Sequence, residues 1–397
     1  MRENNLAFFF KYLKYFKFII ILILLLFLIG YVKIFHIEQK SSYGDIILES
    51  NEYKNYNEIK NKFNNTATQK ILQEIKIIKH IFSKEIDNYK KEKNILHITL
   101  SINNDENYKY ILMVSMYSLL TNCNKNKTFI IYHISCTPDF NETSIKIFKS
   151  LVKKFSHNVE IIIYNMGNHF NNRKNKRYSQ AAYYRILTPI FIDSDRAIHL
   201  DGDTLVFSDL NEMYNLDFND NYILGIYDYL SNGVDYLGLK SKIFINTGAI
   251  LLNLKKLRED NKVFELLNLT KSNTYLRQVD QTAFNYLLYP KIGRLPSKYV
   301  IFNFEDKSDI IFYINHLRTK IPIEEIEKAF KNPIIIHNVI CYPKIWDINS
   351  VYQTWLSNCA QRHNCSCKKY FDIWHFFAKK TDYYEEISKF TGVKKLI

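Results

Sequence analysis

The chain is organised around the segment Arg196-Ala197-Ile198-His199-Leu200-Asp201-Gly202-Asp203-Thr204-Leu205-Val206-Phe207. This segment begins as a short apolar strand, breaks at an acidic turn and continues as a second apolar run. Asp201 and Asp203 flank a glycine, so their two carboxylates can converge on one point. Hard cations such as Mg²⁺ and Mn²⁺ prefer oxygen ligands of this kind and often bridge carboxylates to substrate phosphates. A solvated turn between two strands is the alternative, because Asp-Gly is a common turn dipeptide.

Composition narrows the classes of protein that the chain can belong to. Its 397 residues, 47% of them hydrophobic, can bury a large core. The formal net charge of +14 is spread along the sequence, so no nucleic-acid partner is predicted. With 10 glycines, the chain contains neither a dinucleotide-binding fingerprint nor a P-loop. Any phosphate must therefore be bound by a metal and basic side chains.

The six cysteines do not have the spacing of a zinc site. Cys359, Cys365 and Cys367 lie close together near the end of the chain. They can form a disulfide in an oxidising compartment or remain free thiols, and the sequence leaves both possibilities open.

The N-terminal region has the pattern of a membrane anchor. Residues 1–17 are basic and predict a cytoplasmic tail, and the run from Phe18 to Val32 carries no charge. About 20 apolar residues span a bilayer as a helix, so we predict an anchor over residues 18–35. A cleaved signal peptide is the competing interpretation, but no small-x-small cleavage site follows the run. The excess of positive charge before the run predicts a cytoplasmic N-terminus.

Residues 36–93 are predicted to form a stem. They are polar at first, and apolar residues then recur at helical spacing from Ile71 to Ile86. This spacing predicts an amphipathic helix, which is either the end of the stem or the first helix of the following domain.

Strands and helices alternate from Asn94 onward. Buried strands are predicted near residues 95–101, 128–134, 159–164, 222–228, 244–254 and 333–337, and helices are predicted near 113–120, 145–155 and 180–187. The pattern predicts an α/β fold in which a mixed, mostly parallel central sheet is flanked by helices, as one domain over residues 94–350. Ligands of such sheets bind beyond the carboxyl ends of the strands, so the loop at 101–108 is a predicted nucleotide site. Residues 351–397 are predicted to be a helical extension whose aromatic side chains pack rather than bind a ligand.

Polar motifs follow one another in a distinctive order along residues 94–350. They are Asn104-Asp105-Glu106-Asn107-Tyr108, Tyr184-Arg185, Asp201-Gly202-Asp203, Phe244-Ile245-Asn246-Thr247-Gly248 with Asn253-Leu254, Asp280-Gln281, and His337 with Lys344 and Trp346. In this order they resemble the family 8 glycosyltransferases, which include bacterial lipopolysaccharide glucosyl- and galactosyltransferases and glycogenin. The resemblance implies a GT-A fold, a UDP-sugar donor and Mn²⁺ (or Mg²⁺). It further implies retaining transfer of a hexose, glucose or galactose, to a glycan, glycoprotein or glycolipid acceptor.

The resemblance also implies roles for individual residues. Asp201, Asp203 and His337 are the implied metal ligands. Arg185, Asp280 and Gln281 are the implied catalytic residues, with no covalent nucleophile assigned among them. The implied nucleotide-sugar-binding residues are Asn104, Asp105, Asn107, Tyr108, Arg185, Asp201, Gly202, Asp228, Asn246, Asp280, Gln281 and Lys344.

The loop after His337 departs from the family pattern. It lacks the usual glycine, and Pro343 precedes Lys344 instead of following it. This departure leaves the phosphate contact of Lys344 open and motivates the alternative of a catalytically silent UDP-sugar-binding protein. A metal-dependent phosphohydrolase is a third hypothesis, although the sequence lacks the further clustered His and Asp ligands of a two-metal site.

The anchor and the implied donor together predict a location. A type II membrane protein has its bulk outside the cytosol, where UDP-sugars must be imported, as in a Golgi-like compartment. We therefore predict that localisation, with the lipid bilayer as a partner through residues 18–35. A bacterial inner membrane, with the enzyme on the cytoplasmic face, is the alternative.

Overall fold

The apolar runs of the sequence form two β-sheets in a computed structural model of the chain. The structure describes residues 66–83, 86–170, 178–228, 244–272, 276, 278–303, 321–339, 344, 346 and 366–391. The strands are β1 (Lys76–Ile81), β2 (Asn94–Ile102), β3 (Thr128–Cys136), β4 (Val159–Asn165), β5 (Arg196–Leu200), β6 (Thr204–Val206), β7 (Ile223–Tyr227), β8 (Ile245–Asn253), β9 (Ile292–Arg294), β10 (Val300–Phe302) and β11 (Ile335–His337).

Helices precede, connect and follow these strands. They are α1 (Thr66–Glu74), α2 (Ile86–Lys90), α3 (Tyr108–Asn122), α4 (Glu142–Lys154), a 3₁₀-helix (Gln180–Leu187), α5 (Thr188–Phe191), α6 (Asn211–Tyr214), α7 (Leu254–Glu259), α8 (Lys262–Ser272), α9 (Val279–Leu288), α10 (Ile323–Lys331), α11 (Ser366–Ala378) and α12 (Tyr384–Thr391). All of the described residues belong to one compact unit.

The larger sheet has eight strands in the order β1-β4-β3-β2-β5-β8-β7-β9. Four of the seven adjacent pairs among these strands are parallel, and three are antiparallel. Every residue of β3 is buried, as expected for a strand whose two faces are both covered. The prediction of an α/β fold with a mixed, mostly parallel sheet is therefore confirmed.

The smaller sheet has three strands in the order β10-β11-β6. Strand β6 pairs antiparallel with β11, and this register places Thr204 opposite His337. Helix α3 packs against β6 and β2, and its residues from Ile111 to Leu120 are all buried. The acidic turn at 201–203 thus connects β5 of the larger sheet to β6 of the smaller one.

The structure corrects the amphipathic helix predicted between Ile71 and Ile86. Helix α1 ends at Glu74, and β1 then pairs antiparallel with β4 at the edge of the larger sheet. Isoleucine is β-branched and favours strands, so its recurrence at helical spacing misled the prediction here. The domain boundary at residue 94 stays a prediction.

The predicted cytoplasmic tail, the anchor at 18–35 and the stem as far as residue 65 lie outside the described residues. Among the helices that are described, none has the length and apolar character needed to cross a bilayer. The longest, α3, has 15 residues. Cys359 and Cys365 also lie outside the described part, so the two possibilities for Cys359, Cys365 and Cys367, a disulfide or free thiols, both stay open.

The C-terminal segment contains α11 and α12. Tyr370, Trp374 and Phe377 of α11 are buried, whereas Phe376 is 53% exposed. Helix α11 packs against α3, and the Tyr110 ring of α3 lies 5.9 Å from that of Phe390 in α12. The prediction that these aromatic residues pack is confirmed except at Phe376.

Candidate active site

Asp201, Asp203 and His337 form a cluster of three possible metal ligands. One ligand atom from each lies within 4.8 Å of the others. The His337 Nε2 atom is 3.1 Å from Asp203 Oδ1 and 3.6 Å from Asp201 Oδ2. Two carboxylates and an imidazole at this spacing fit a divalent cation that accepts both oxygen and nitrogen ligands.

Backbone hydrogen bonds hold the acidic turn against its neighbours. The Asp201 N–H donates to the Gly248 carbonyl at 2.7 Å, which joins the turn to β8. The Asp203 carbonyl accepts from both the N–H and the side-chain amide of Asn338, at 3.0 and 2.9 Å. The turn is therefore fastened to the larger sheet on one side and to the end of β11 on the other.

Gly248 leaves the space in which the cluster forms. A Cβ at this position would lie 2.0 Å from His337 Cε1 and 2.6 Å from Asp201 Oδ2. These distances are far below van der Waals contact. A glycine is thus required because the backbone of β8 approaches two of the three possible ligands.

Both carboxylates of the turn are ionised at neutral pH. Burial acts to raise the pKa of Asp201, but the charge of Arg185 and a hydrogen bond from His199 hold it well below its usual range. Burial also acts to raise the pKa of Asp203, yet Lys344 and His337 lower it to about 2. Two negative charges therefore face His337, as a cation site requires.

Arg185 connects the acidic turn to helix α9. Its guanidinium donates to Asp201 Oδ1 at 2.7 Å and to the Thr247 carbonyl at 2.6 Å, and its Nε lies 3.1 Å from Asp280 Oδ2. The Arg185 side chain is buried. Burial raises the pKa of Asp280 to about 6, against the opposing effect of Arg185. Asp280 can therefore gain or lose a proton near neutral pH.

Gln281 connects Asp228 to strand β8. Its Nε2 donates to Asp228 Oδ2 at 2.6 Å, and its Oε1 accepts from the Thr247 N–H at 3.1 Å. The preceding Val279 has φ +41°, which is a strained conformation for a β-branched residue. Val279 is the first residue of α9, and the next two residues, Asp280 and Gln281, both contact Thr247 of β8.

The loop after β2 reaches the acidic turn through Tyr108. Its hydroxyl accepts from the Gly202 N–H at 3.3 Å, and burial raises the pKa of the phenol. Asp105 Oδ1 accepts from the N–H groups of Asn107 and Tyr108, at 2.9 and 3.0 Å. The side-chain oxygen of Asn104 accepts from Asn141 at 3.3 Å, so this contact leads away from the turn.

Asn246 contacts the glycine beside the cluster, whereas Lys344 contacts Asp203 itself. The side-chain oxygen of Asn246 accepts from the Gly248 N–H at 2.9 Å, which fixes that glycine. Lys344 Nζ donates to Asp203 Oδ2 at 2.7 Å and to the Asn338 carbonyl at 3.0 Å. The unusual order of proline and lysine therefore still brings a cation to the acidic turn.

The structure adds residues that were not among the predicted site residues. They are Thr99, His199, Thr247, Gly248 and Asn338. Thr247 and Gly248 are adjacent to Asn246, and His199 precedes Asp201 by two residues, so proximity in sequence was the available signal. Thr99 gave no comparable signal, because its place in the site comes from the pairing of β2 with β5.

The chain has counterparts among known proteins. Residues 97–349 match the family model described as glycosyl transferase family 8. General stress protein A of Bacillus subtilis is 23% identical over 265 residues, which cover 62% of this chain and 86% of that protein. The lipopolysaccharide 1,2-glucosyltransferase of Escherichia coli is 25% identical over 210 residues, which cover 49% of this chain and 60% of that protein.

A solved structure gives independent support for the fold. It is the galactosyltransferase LgtC in complex with donor and acceptor sugar analogues, with a TM-score of 0.51 and 19% identity. The match covers 64% of this chain and 91% of that one. At this level of identity the likeness concerns the fold, and it confirms the predicted GT-A type.

The predicted localisation is wrong. The relatives are bacterial proteins, which is inconsistent with a type II protein of a Golgi-like compartment. Across the described residues no helix has the length and apolar character to cross a membrane, and the predicted anchor at 18–35 lies outside them.

Proposed function

The chain belongs to glycosyl transferase family 8, and from this membership we propose that it is a retaining, metal-dependent hexosyltransferase. Its donor would be a UDP-sugar that carries glucose or galactose, and its acceptor a glycan, glycoprotein or glycolipid. The glucosyltransferase of Escherichia coli and the galactosyltransferase LgtC support this choice of hexoses. The acceptor class is the broadest part of the proposal.

One observation carries the proposal, namely the convergence of Asp201, Asp203 and His337 within 4.8 Å beside a lysine. These three side chains would hold Mn²⁺ or Mg²⁺. When bound, such an ion would neutralise the negative charge that develops on the departing diphosphate. Lys344 would add a second positive charge at the same place, because its amine is already anchored by Asp203 and the Asn338 carbonyl.

The sugar of the donor would lie against the buried polar side chains of Arg185, Asp228 and Gln281. Arg185 is held by Asp201 and Asp280, so its remaining N–H groups have a fixed direction. Asp228 and Gln281 are held to each other in the same way. Preorganised polar groups of this kind orient sugar hydroxyls without first having to rearrange.

Asn246 and Asp280 complete the same polar surface. Burial raises the pKa of Asp280 to about 6. Near neutral pH it can therefore donate a hydrogen bond to a sugar hydroxyl when protonated, or accept one from it when ionised. Gln281 keeps one amide oxygen lone pair beyond its bond to Thr247, which could stabilise positive charge at the anomeric carbon. Neither residue is assigned as a covalent nucleophile.

The uridine would lie at the loop after β2. Asp105 caps the start of α3 and thereby shapes the loop that carries Asn104 and Asn107. Tyr108 extends from this loop to Gly202. A nucleotide bound there would have its diphosphate near the acidic turn, in keeping with the position of sites beyond the carboxyl ends of parallel strands.

A donor screen tests the proposal. We expect the purified full chain to transfer or hydrolyse sugar from UDP-glucose or UDP-galactose when Mn²⁺ is supplied, and to lose this activity when the metal is chelated. The Asp203→Ala variant should lose it as well, because one of three ligands is removed. Asp195→Ala is a matched control, since that carboxylate is 73% exposed and lies at the opposite end of β5 from the turn.

The same screen separates the alternatives. Activity that survives in Asp203→Ala would contradict the proposed mechanism. Calorimetric binding of UDP without turnover of any donor would instead indicate a silent binding protein. Release of inorganic phosphate without free sugar would indicate a phosphohydrolase.

A further inference from the structure

Two buried polar side chains lie directly behind the acidic turn. His199 is 1% exposed at the end of β5, and Thr99 is 2% exposed on β2. The two residues are cross-strand partners, and Thr99 Oγ1 lies 2.7 Å from His199 Nδ1. Buried polar groups are costly unless they are paired, so this pair satisfies two groups that the sheet would otherwise leave without partners.

The other ring nitrogen of His199 faces Asp201. His199 Nε2 lies 3.4 Å from Asp201 Oδ1. The ionised carboxylate can only accept a hydrogen bond, so Nε2 must carry the proton of a neutral ring. Nδ1 is then the acceptor, and the Thr99 hydroxyl donates to it. The three residues thus form a hydrogen-bond chain in which Thr99 donates to His199 and His199 donates to Asp201.

This arrangement divides the two oxygens of Asp201 between different tasks. Oδ1 receives hydrogen bonds from Arg185 and His199, whereas Oδ2 faces His337 Nε2 at 3.6 Å. Arg185 also binds Asp280 of helix α9. His199 differs from it, because Thr99 anchors it to the centre of the larger sheet.

We propose that Thr99 and His199 are positioning residues that fix the rotation of Asp201 so that Oδ2 is presented to the metal. This role rests on the proposed function. Groups that support metal ligands in this way typically contribute about 10- to 100-fold in metal affinity. The effect should appear in metal binding itself, without any turnover.

The test is the dissociation constant of Mn²⁺ from the full chain with saturating UDP, measured from the paramagnetic resonance signal of free Mn²⁺. His199→Phe should raise this constant by about 10- to 100-fold, and Thr99→Val by about 10-fold. Thr99→Ser keeps the hydroxyl and should stay within about 2-fold of the wild type. Thermal unfolding without metal measures any loss of stability separately.

His133→Phe is the matched control. His133 is a buried histidine on the neighbouring strand β3, and it is hydrogen-bonded to His97 and Tyr164. The His133→Phe variant should leave the dissociation constant of Mn²⁺ unchanged. An unchanged constant in both His199→Phe and Thr99→Val would overturn the role of these residues, and so would an equal loss in His133→Phe. Failure of the wild type to bind Mn²⁺ would instead overturn the proposed metal site, and this role with it.

Discussion

The substitution Gly248→Ala adds a single methyl group, and it should disrupt the proposed metal site while leaving the fold in place. In Gly248→Ala, the new Cβ would lie 2.0 Å from His337 Cε1, whereas ordinary van der Waals contact begins near 3.4 Å. The difference of 1.4 Å must be absorbed by the imidazole or by the backbone of β8. His337 is buried and belongs to β11, so the ring cannot turn away into solvent.

The size of the effect follows from this displacement. Metal sites tolerate ligand shifts of about 0.2 Å, and a misplacement of about 1 Å at a reacting centre can reduce the rate by about 100-fold. We therefore expect at least a 100-fold loss of Mn²⁺ affinity and of Mn²⁺-dependent sugar transfer. The strain of overpacking should lower the free energy of unfolding by about 1–3 kcal/mol.

The assay combines a Mn²⁺ titration with thermal unfolding, and Gly225→Ala is its control. A Cβ at Gly225 on β7 would lie 2.9 Å from Ile245 Cδ1, 3.0 Å from Ile250 Cγ2 and 3.1 Å from the Asn246 carbonyl oxygen, and none of these is a proposed metal ligand. This variant should lose comparable stability but keep its affinity for Mn²⁺. Normal Mn²⁺ binding by Gly248→Ala would refute the reasoning, because the backbone of β8 would then not be what shapes the site.

Three further perturbations address other parts of the molecule. Burial raises the pKa of Asp280 to about 6, so its contribution to stability is present below pH 4 and is lost as the pH rises through 6. Asp280→Asn should remove about 3 kcal/mol of this pH dependence in denaturant titrations, and an unchanged profile would contradict the shift. Burial holds the pKa of His133 well below its ordinary value. Below pH 6.5 the unfolded chain therefore gains a proton on this histidine that the folded protein does not, and the free energy of unfolding should fall. This loss should be smaller in His133→Phe, and equal acid sensitivity of the two proteins would argue against it. Gly202→Ala would place a Cβ 2.7 Å from the Tyr108 hydroxyl; it should weaken UDP binding in calorimetry, and an unchanged affinity would show that this contact is not part of the nucleotide site.

Much of the architecture could be read from the sequence because its signals are local or come in a fixed order. The buried strands are rich in apolar residues, and the residues of α3 from Ile111 to Leu120 are mostly apolar. The resemblance to family 8 is confirmed by the family match. The cluster of Asp201, Asp203 and His337 was predicted from motif order, and the structure brings its three members together. The assigned roles of these residues stay proposals.

What the sequence did not reveal depends on strand pairing. Thr99 lies about 100 residues from His199, and the two meet because β2 and β5 are adjacent in the sheet. Gly248 belongs to the quoted motif around Asn246, but the reason for a glycine there is the close approach of β8 to the cluster, which depends on the fold. Strand β1 was mistaken for a helix because isoleucines satisfy both periodicities over so short a span.

Because the cluster is divided between two sheets, its members are synthesised at different times. All eight strands of the larger sheet have been synthesised once Arg294 is added, yet His337 lies 134 residues beyond Asp203 and belongs to the smaller sheet. A nascent chain thus contains every strand of its main sheet while it still lacks the third proposed metal ligand. Loop closure over such a separation is among the slower steps of folding. A chain that ends before β11 would therefore lack one residue of the proposed site even when its main sheet is complete in sequence.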